Sequence, residues 1–488
     1  MRKNIALLMG TGLALAWGAG TALPTRAAQW EFVPSLDISE TYTDNVRLTS
    51  NNRQTDFVTS VAPGLSITGL GRRSQVVIDY TLSYFYFPNL NNGDVRHNFL
   101  GTGSFEVVRD WLYMSAQGSI SEQFLNQLRA LSISPANQTA NRRTVQSYNL
   151  SPSLRHRFGS YADLDARYTF RYFNSDNNPN DIANGTFVSA TGTQSVDASL
   201  TSGQYFWPFK WSVNVNHDTV NRVNSPGSFG NTRATGDVEA HLLSWFDLLA
   251  SGGYEKFRNV GFTIDNKAAT WDVGARLRPG PRTDITARFG RRFGDGIWSL
   301  NGRYTMSPRT AVIVEYREDI DTTQLRLGRR LGNITVGNNG TLIDPTTGVL
   351  FDPNDPGFDL GNQPFRSKRF SMSLAGSRKQ NTFNVQSYYE RRSRGAPITL
   401  RVTRGVSFNF QRQQTRRVQA TAFFTYRKTN FEGGNRQDKF YGGSAGLSYR
   451  LGQIITSELT YNRSTRNSNF NLFDLDENAV TFTLRALF

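Results

Sequence analysis

Cysteine is absent from the 488 residues, and no apolar run after the N-terminal segment approaches the roughly 20 residues that a membrane-spanning helix needs. The chain therefore has no disulfide bond, no thiol-based metal site and no cysteine for a lipid anchor. Only 38% of the residues are apolar, and the mean hydropathy is −0.47. These values alone are typical of a soluble protein, so any membrane location must rest on a different pattern.

The N-terminal segment has the pattern of a secretory signal peptide. Two basic residues precede an apolar run that ends near Trp17, and small residues up to Ala27 follow at the spacing of a cleavage site. We therefore predict a signal peptide over residues 1–27 and an exported chain over residues 28–488.

Aromatic residues are abundant, and they recur with a period of two along the whole chain. There are 34 Phe and 19 Tyr, and in residues 76–86 one face is apolar and aromatic while the other is mainly polar. Residues 162–172 and 269–277 alternate in the same way. Such segments are about 11 residues long, the length of a tilted membrane-crossing strand, whereas strands of soluble proteins average about five or six residues.

By this criterion the chain contains 22 candidate strands, an even number, and the weaker segments allow a range of 18 to 24. The alternation is weakest at 193–203, 382–391 and 400–411. We predict an all-β fold, a transmembrane antiparallel up-and-down β-barrel. Its predicted strands cover residues 34–43, 57–68, 75–87, 97–109, 111–121, 144–157, 161–173, 193–203, 208–218, 234–244, 247–257, 267–278, 282–292, 296–306, 310–319, 368–377, 382–391, 400–411, 416–427, 438–449, 453–463 and 478–488.

The lengths of the connections support this prediction, because outer-membrane barrels alternate short periplasmic turns with longer extracellular loops. Connections after even-numbered strands are short, as in GLGRRS, PGPR and RQQT. Connections after odd-numbered strands are mostly long and polar, and the longest covers residues 321–366. We therefore expect both termini in the periplasm and an extracellular loop at 321–366.

The chain ends on a strand pattern, AVTFTLRALF, whose last residue is Phe488. An open sheet edge is not tolerated in hydrocarbon, so we expect this segment to pair with the first strand and close the barrel. Phe488 also resembles the terminal aromatic residue that the barrel-assembly machinery of Gram-negative bacteria recognises. We predict that Phe488 is the assembly signal.

The segments WEFVPSLDISETYTDNVRL and TDFVTSVAPGLSITGLGRRSQVVIDYTLSYFYF resemble a family of outer-membrane β-barrel proteins associated with the PEP-CTERM exopolysaccharide and protein-sorting system. That family is similar to the broader set of β-barrel porins found with polysaccharide export machinery. The close resemblance covers about residues 30–87. It implies a role in exopolysaccharide export, with polysaccharide export proteins as partners. The barrel pattern favours a Gram-negative outer membrane, and the basic charge of the chain favours an anionic polysaccharide as a further partner.

We expect any gate to come from a loop. Helical tetratricopeptide repeats do not precede the barrel, and the about ten residues before the first strand leave no room for the plug of a TonB-dependent transporter. Loop 321–366 is rich in Gly, Pro, Asn and Asp, and its apolar residues could anchor it to the wall, so it is either a gate or a surface loop. The spacing of its acidic residues, Asp344, Asp352, Asp355 and Asp359, matches no calcium loop, and no metal site is predicted.

Charge is the most informative chemical signal. The chain has 55 Lys and Arg against 39 Asp and Glu, a formal charge of +16, and removal of the signal peptide leaves +13. We predict a basic rim that would concentrate anions at the periplasmic mouth. Its residues are Arg72, Arg73, Arg155, Arg157, Arg278, Arg282, Arg412, Arg416 and Arg417, with Arg309, Arg378, Lys379 and Arg450 nearby.

Inside the barrel, the alternation places arginines and carboxylates together on the lumen face. One interpretation is a ladder of cross-strand ion pairs that stiffens a wide barrel. The other is a charged translocation path. Nucleic-acid binding is a poor explanation, because the basic residues belong to turns and to the interior rather than to one groove. The predicted substrate path consists of Arg167, Arg171, Arg276, Arg288, Arg303 and Arg317, with Arg427 also on this face.

Enzyme activity and cofactors are not expected. His217 beside Asp218 could resemble the dyad of an omptin-like protease, but no second acidic pair is evident, and no nucleophile elbow, zinc spacing or P-loop occurs. The predicted function is an outer-membrane channel in exopolysaccharide export, and the alternatives are a general or substrate-specific diffusion porin and a structural barrel. Outer-membrane lipid, lipopolysaccharide and the assembly machinery are further expected partners.

Overall fold

The computed structural model describes residues 29–488 apart from 125–128, 140, 177–189, 224–227, 259–266, 323–324, 327–334, 337–341, 345–348, 351–363, 395–398 and 432–434. The predicted signal peptide 1–27 lies outside the described residues, as do three of the four loop aspartates considered for calcium, Asp352, Asp355 and Asp359. Much of loop 321–366 lies outside them as well.

The described chain forms one closed antiparallel sheet of 22 strands, so the predicted fold class and strand number are confirmed. The three segments with the weakest alternation all form strands (β8, β17 and β18 below). The strands are Gln29–Thr43 (β1), Asp56–Leu70 (β2), Ser74–Phe87 (β3), Asn92–Val108 (β4), Leu112–Phe124 (β5), Arg142–Phe158 (β6), Ala162–Ser175 (β7), Thr191–Ser202 (β8), Phe209–Arg222 (β9), Phe229–Leu243 (β10), Phe246–Arg258 (β11), Lys267–Gly280 (β12), Thr283–Arg292 (β13), Asp295–Ser307 (β14), Thr310–Asp321 (β15), Phe365–Arg378 (β16), Asn381–Ser393 (β17), Thr399–Gln413 (β18), Val418–Phe431 (β19), Gln437–Arg450 (β20), Ile455–Ser468 (β21) and Leu475–Leu487 (β22).

Little other regular structure accompanies the barrel in the part of the chain that the structure describes. Three short strands, Thr335–Val336, Leu342–Asp344 and Val349–Leu350, form a separate small sheet within the connection from β15 to β16. Single 3₁₀ turns occur at Pro88–Leu90, Gln204–Phe206 and Asn471–Phe473. Among the described residues, no helix has the length and apolar character to cross a membrane.

The last strand closes the barrel against the first, as the sequence predicts. The register runs from Ser35 opposite Leu487 to Thr43 opposite Ala479. At the very end of the chain, the Phe488 backbone N–H donates to the Pro34 carbonyl at 2.9 Å. A barrel joined in this way leaves no strand edge unpaired in the wall.

Side chains alternate between an apolar outer surface and a polar lumen. On β22 the outward Val480 and Phe482 are 41% and 46% exposed, whereas the alternating Thr481 and Thr483 face inward and are less exposed. A large apolar exposed surface of this kind suits lipid rather than water. The inward side of the same strand carries Arg485, which forms a bidentate pair with Asp37 on β1 at 2.9 and 2.7 Å.

The two ends of the barrel differ. Connections after even-numbered strands contain two to six residues, and we call this end, which also holds both ends of the described chain, the turn end. Connections after odd-numbered strands form the loop end, and most of them are longer, up to residues 322–364. Buried apolar side chains concentrate at the loop end, where they form clusters that include Val58, Phe87, Phe229, Phe257 and Phe440.

Candidate functional site

The candidate site is the lumen, and many of its charges are neutralised by ion pairs between neighbouring strands. Arg276 donates from Nε to Asp284 at 2.9 Å. Arg288 donates from Nη1 to Asp272 at 2.7 Å, and Asp237 lies 3.7 Å from the same nitrogen. Toward the turn end, Arg155 and Arg157 pair with Asp165 and Asp163 at 3.1 and 2.7 Å. These contacts form the ladder of cross-strand ion pairs that the sequence suggested as one interpretation.

The other lumen arginines predicted for the substrate path differ in their partners. Arg171 donates to the Ser195 hydroxyl at 2.7 Å. Arg167, Arg303 and Arg317 lie on the lumen face by register, and none of the three forms an ion pair with another described residue. These guanidinium groups therefore keep their charge available to the contents of the lumen.

The predicted rim divides into paired and unpaired residues. Arg73 lies 3.8 Å from Glu106, and Arg278 pairs with the fully buried Asp247. The exposed members that form no ion pair within the described residues are Arg72, Arg282, Arg412, Arg416 and Arg417, together with the neighbouring Arg309, Arg378, Lys379 and Arg450. The turn end is therefore a region of unbalanced positive charge.

Arg412 departs from the expected position at the mouth. It lies directly opposite Ala420 and follows Phe408 and Phe410 on the same face of β18, which is the outer face of the barrel. Arg378 on β16 is outward-facing in the same way, since it continues the face of Phe370 and Met372. Side chains of a strand alternate between its two faces, so a difference of one position determines whether an arginine near a turn faces the lumen or the lipid.

Three of the predicted arginines come together at one cavity near the turn end. The cavity has a volume of about 660 Å³, and Arg278, Arg282 and Arg303 line it together with Trp245 and Asp284. Asp284 is engaged by Arg276, and Arg278 is engaged by Asp247. Arg282 and Arg303 are thus the cations at this cavity that are left for an anionic guest.

Beside this cavity lies a buried cluster that the sequence did not reveal. The Asp247 carboxylate is completely buried and lies 2.6 Å from Nδ1 of His241, and it also accepts from Arg278. Nε2 of His241 faces Glu239 at 3.7 Å, and the ring stacks on Trp207 with 4.5 Å between centroids. Glu239, His241 and Asp247 have donor atoms within 4.8 Å of one another, a spacing that could hold a metal ion.

At the loop end, residues 129–139 and 141 fold into the lumen, and we call this segment the inner loop. β4 and β5 stop pairing at Phe99 and Ile120, but β5 and β6 remain paired as far as Phe124 and Arg142. Freed from β4, the tip of the β5–β6 hairpin bends inward. Its Phe124 packs with Leu131 of the inner loop and with Phe440 on the distant strand β20. The inner loop therefore joins separate parts of the wall.

Polar groups on both sides fix the inner loop. From β4, the Arg96 guanidinium donates to the carbonyls of Pro135 and Asn137, the latter at 2.8 Å. From β22, the buried Glu477 carboxylate accepts from the Ser132 hydroxyl. From β21, the Ser464 hydroxyl accepts from the Ile133 backbone N–H at 3.0 Å. These anchors lie on strands at both sides of the closing seam, so the loop is held across it.

A second element bends inward at the loop end, the tip of the β15–β16 hairpin. β14 and β15 stop pairing at Leu300 and Tyr316, whereas β15 and β16 pair as far as Asp321 and Phe365. Ile320 at this tip packs in one cluster with the lumen-facing Phe229, Phe257 and Val220 of β9 to β11. This tip is the base of loop 321–366, so that loop contributes to the lumen where the structure describes it.

The tip is held by charge. Arg326, just after β15, pairs with Glu390 on β17 at 2.6 Å and with Asp321 at 3.6 Å. Burial acts to lower the pKa of Arg326, but these two carboxylates outweigh it and raise the pKa above its usual value. The guanidinium therefore stays charged and also lies 5.0 Å from the centre of the Phe365 ring.

Arginine stacked on phenylalanine is the recurrent motif of the loop end, and the sequence analysis missed it. Arg96 lies 4.3 Å from the centre of Phe85, Arg142 lies 4.6 Å from Phe124, and Arg427 lies 5.2 Å from Phe440. Such contacts stabilise a desolvated cation by up to about 2 kcal/mol. The available signal was the run YFYF at 84–87, where both faces of one strand become aromatic at its loop end.

His217 and Asp218, the dyad considered from the sequence, lie on opposite faces of β9. Asp218 lies on the lumen face of β9 and accepts from Ser195 at 2.5 Å, whereas His217 lies on the outer face and contacts the Thr232 hydroxyl at 2.7 Å. His156 is outward-facing near the turn end and stacks on Trp111 with 3.9 Å between centroids. Adjacent residues of a strand point to opposite faces, so His217 and Asp218 do not act on one substrate.

Comparison with known families gives one match. Residues 382–488, which cover β17 to β22, match the model of a family described as "Putative beta-barrel porin 2". Residues 30–87, which carry the resemblance to the PEP-CTERM-associated family, lie outside that match. No curated protein sequence matches this chain.

Several solved structures are similar in overall shape. The siderophore receptor PirA from Acinetobacter baumannii is 9% identical, with 94% of this chain and 80% of that chain covered and a TM-score of 0.47. The FrpB iron transporter from Neisseria meningitidis is 10% identical over 93% and 82%, with a TM-score of 0.48. The ferric-catecholate import receptor Fiu from E. coli K12 is 9% identical over 93% and 81%, also at 0.48.

At such identities and TM-scores, the similarity to these receptors gives no information about what this chain transports. The match to the porin model and the closed 22-stranded wall together support an outer-membrane β-barrel protein of porin-like type. They point to the outer membrane of a Gram-negative bacterium as its location.

Proposed function

We propose that this barrel is an outer-membrane channel that takes part in exopolysaccharide export. In this proposal the turn end and both termini face the periplasm, and the loop end faces the exterior. An anionic polysaccharide enters at the turn end, with polysaccharide export proteins as periplasmic partners. The barrel acts as a conduit and not as an enzyme, in keeping with the separation of His217 from Asp218.

The observation that carries this proposal is the unbalanced positive charge of the turn end. Arg282 and Arg303 meet at one cavity without ion-pair partners among the described residues, and exposed turn cations such as Arg416 and Arg417 add to the same field. A charged mouth with low-dielectric walls concentrates ions of opposite sign. A uronic-acid-bearing or phosphorylated polymer has the charge that such a mouth attracts.

The loop end fits a channel that is not permanently open. The inner loop and the β15–β16 tip both enter the lumen there, and each is held by buried charged groups. A polymer that enters at the turn end would meet these elements before it leaves. Export then requires that the inner loop be displaced, by the polymer or by a partner protein.

Charge reversal at the cavity tests the proposal. The double variant Arg282→Glu Arg303→Glu changes the mouth by four charges, each worth about 0.4 kcal/mol at about 10 Å in water. Screening reduces the sum to roughly 0.6 kcal/mol, which is about a threefold loss in anion entry and about a threefold gain in cation entry. The anion-to-cation permeability ratio in planar bilayers should therefore fall by about eightfold. We also expect less secreted polymer at unchanged barrel abundance.

The matched control reverses two arginines at the same end but on the outer face. The variant Arg378→Glu Arg412→Glu has the same net charge as the first variant, and we expect its selectivity to equal that of the wild type. Equal selectivity and secretion in all three proteins would contradict an electrostatic entrance at the turn end.

A diffusion porin is the alternative, and the inner loop favours it, because a loop fixed across the lumen suits a filter for small solutes. Deletion of the protein separates the two functions. Loss of an export channel leaves polymer in the periplasm, which can be measured by fractionation. Loss of a diffusion porin slows the uptake of small solutes and leaves polymer secretion unchanged.

A further inference from the structure

A row of cations crosses the outer face of the barrel near the loop end. Arg404 on β18 lies directly opposite Lys428 on β19, and Lys428 lies directly opposite Lys439 on β20. The lipid-facing Val406, Phe424 and Tyr441 lie two or four residues away on the same strands. Because side chains alternate with a period of two, all three cations are outward-facing.

Like charges at directly opposite positions destabilise a sheet, so this arrangement needs an explanation. None of the three cations forms an ion pair with a carboxylate in the described part of the chain. Arg404 lies over the Tyr389 ring, 5.5 Å from its centre. On the next strand the outward Arg463 does have a partner, Asp476, at 3.5 Å. The row is therefore a local excess of positive charge that an anionic ligand would neutralise.

The position of the row relative to the apolar band identifies the kind of ligand. The outer face of β18 reads Arg404, Val406, Phe408, Phe410 and Arg412, so three apolar residues lie between two arginines. Eight residues of strand span about 26 Å, which is about 20 Å of height at a tilt of about 40°. Arginine side chains extend a few ångströms beyond each end, so the two arginines span about the height of an outer-membrane apolar band, about 25 Å. Arg404 and Arg412 therefore mark its two boundaries.

An aromatic pair supports this boundary. Tyr426 and Tyr441 lie directly opposite each other, two residues inside the cation row, with 5.1 Å between ring centroids. Aromatic girdles of this kind occupy the interface between hydrocarbon and headgroups. The cations just beyond the girdle thus lie at the depth of the lipid headgroups.

We propose that Arg404, Lys428 and Lys439 bind the phosphate groups of lipid A, the anionic headgroup of lipopolysaccharide. Phosphate accepts charge-assisted hydrogen bonds from both arginine and lysine, and the planar guanidinium of Arg404 suits two oxygens at once. This assignment uses the proposed orientation, with the loop end outside, but it does not depend on what the channel carries.

The test measures binding of deep-rough lipopolysaccharide to the purified barrel in zwitterionic detergent, by its effect on the melting temperature. We expect the wild type to be stabilised by this lipid and not by the same lipid after removal of its phosphates, nor by phosphatidylglycerol. Each basic residue near an anionic lipid surface contributes roughly a fivefold factor in affinity. The triple variant Arg404→Gln Lys428→Gln Lys439→Gln should therefore bind on the order of a hundredfold more weakly.

The most specific result would be a reversal in the order of the melting temperatures of the wild type and the triple variant when lipopolysaccharide is added. Without lipopolysaccharide the triple variant should melt at least as high as the wild type, because the repulsion between neighbouring cations is gone, and with lipopolysaccharide it should melt lower. The single variant Lys428→Gln removes both like-charge contacts and serves if the triple variant does not fold. Arg412→Gln, on the same face at the opposite boundary, is the control and should bind like the wild type.

Equal affinity of the wild type and the triple variant for lipopolysaccharide would overturn the assignment, and so would equal stabilisation by the dephosphorylated lipid or by phosphatidylglycerol. Ion selectivity in planar bilayers should be the same for the triple variant and the wild type. A failure of the lipid site is thereby distinguished from a failure of the proposed channel function.

Discussion

Loss of Arg96 should loosen the inner loop. This side chain reaches the loop from β4 and donates to two of its backbone carbonyls, Pro135 and Asn137, the second at 2.8 Å. Its Nε also lies 2.7 Å from Asp94 and 3.2 Å from Glu122. In the variant Arg96→Ala the Asn137 carbonyl loses this donor and Asp94 loses this cation. The Pro135 carbonyl and Glu122 keep their contacts with Arg142, at 2.9 and 3.9 Å.

The size of the effect follows from burial. The Arg96 side chain is 8% exposed, so water replaces its hydrogen bonds poorly. Removal of one partner from a buried ion pair costs about 3–5 kcal/mol, and hydrogen bonds to a charged group contribute about 1.5–3 kcal/mol each. We take about 3 kcal/mol as the loss of anchoring, which changes the ratio of held to released loop by about a hundredfold.

The assay is single-channel conductance in planar bilayers. We expect Arg96→Ala to show higher conductance and frequent transitions, because the other anchors of the loop, such as Glu477 with Ser132, remain in place. The control Arg276→Ala removes the same charge from the lumen, but its side chain pairs with Asp284 and with no inner-loop residue that the structure describes. Its conductance should therefore lack these transitions.

A cross-link provides the refutation. The hydroxyl oxygens of Ser132 and Ser464 lie 3.5 Å apart, and the chain has no cysteine, so Ser132→Cys with Ser464→Cys creates one defined thiol pair between loop and wall. Oxidation of this pair in the Arg96→Ala background should restore wild-type conductance, and reduction should abolish the rescue. If Arg96→Ala conducts like the wild type, or if oxidation leaves its transitions unchanged, Arg96 does not control the inner loop.

Two further predictions concern assembly and orientation. Deletion of Phe488 removes the residue whose backbone N–H donates to the Pro34 carbonyl. We therefore expect slower insertion of the barrel and more degradation in the periplasm, both measured by pulse-chase. Normal membrane yield under stress would argue against Phe488 as an assembly signal. An epitope after the exposed Asn51, in the β1–β2 connection at the loop end, should be labelled on intact cells, and one after Gln380 at the turn end should not; the opposite result would invert the orientation.

The strands of the barrel wall were predictable because the alternation of apolar and polar residues within each strand depends only on that strand's own position between lipid and lumen. A strand buried between lipid and lumen must alternate, so Val480, Phe482 and Leu484 reveal both the strand and its outer face without any knowledge of neighbours. An even strand number and the pairing of the last strand with the first then follow from the closure of a wholly antiparallel sheet. The exact register, with Ala479 opposite Thr43, came only from the structure. The alternation was sufficient even for β8, β17 and β18, where it is weakest.

The inner loop was not predictable, because it depends on contacts between residues far apart in the chain. Ser132 and Glu477 are 345 positions apart, and neither lies in a pattern that marks a contact. From the sequence, the β5–β6 connection was only a long polar loop, and loop 321–366 was the candidate for a gate, with a surface loop as the alternative. The structure shows that the β15–β16 tip, at the base of that loop, enters the lumen, but the described segment with the most anchors across the seam is the inner loop.

Rim residues such as Arg412 show a second limit. Turn positions were assigned by sequence distance from a turn, but the face of a side chain changes with every residue, so a cation at a turn is as easily on the lipid side as at the mouth. Whether an arginine forms an ion pair also depends on the residues of the adjacent strands. Arg276 finds Asp284 and is neutralised, whereas Arg303, directly opposite Asp284 on the other side, is left without that partner.

The two ends of the barrel use arginine in opposite ways, and this difference has a functional consequence. At the loop end Arg96 and Arg366 are buried, and each is matched by carboxylates and by a phenylalanine ring, so their fields are cancelled within a few ångströms. At the turn end Arg282 and Arg416 are exposed and lack ion-pair partners among the described residues, so their fields reach about the screening length of 8 Å into solution. The buried arginines of the loop end therefore stabilise the structure, whereas the exposed arginines of the turn end attract anions from solution. Among the described residues, the lumen mouth at the turn end therefore has the stronger attraction for anions. In the proposed orientation this charge raises the local anion concentration on the periplasmic side, whereas the direction of net transport is set by the gradient of the transported molecule.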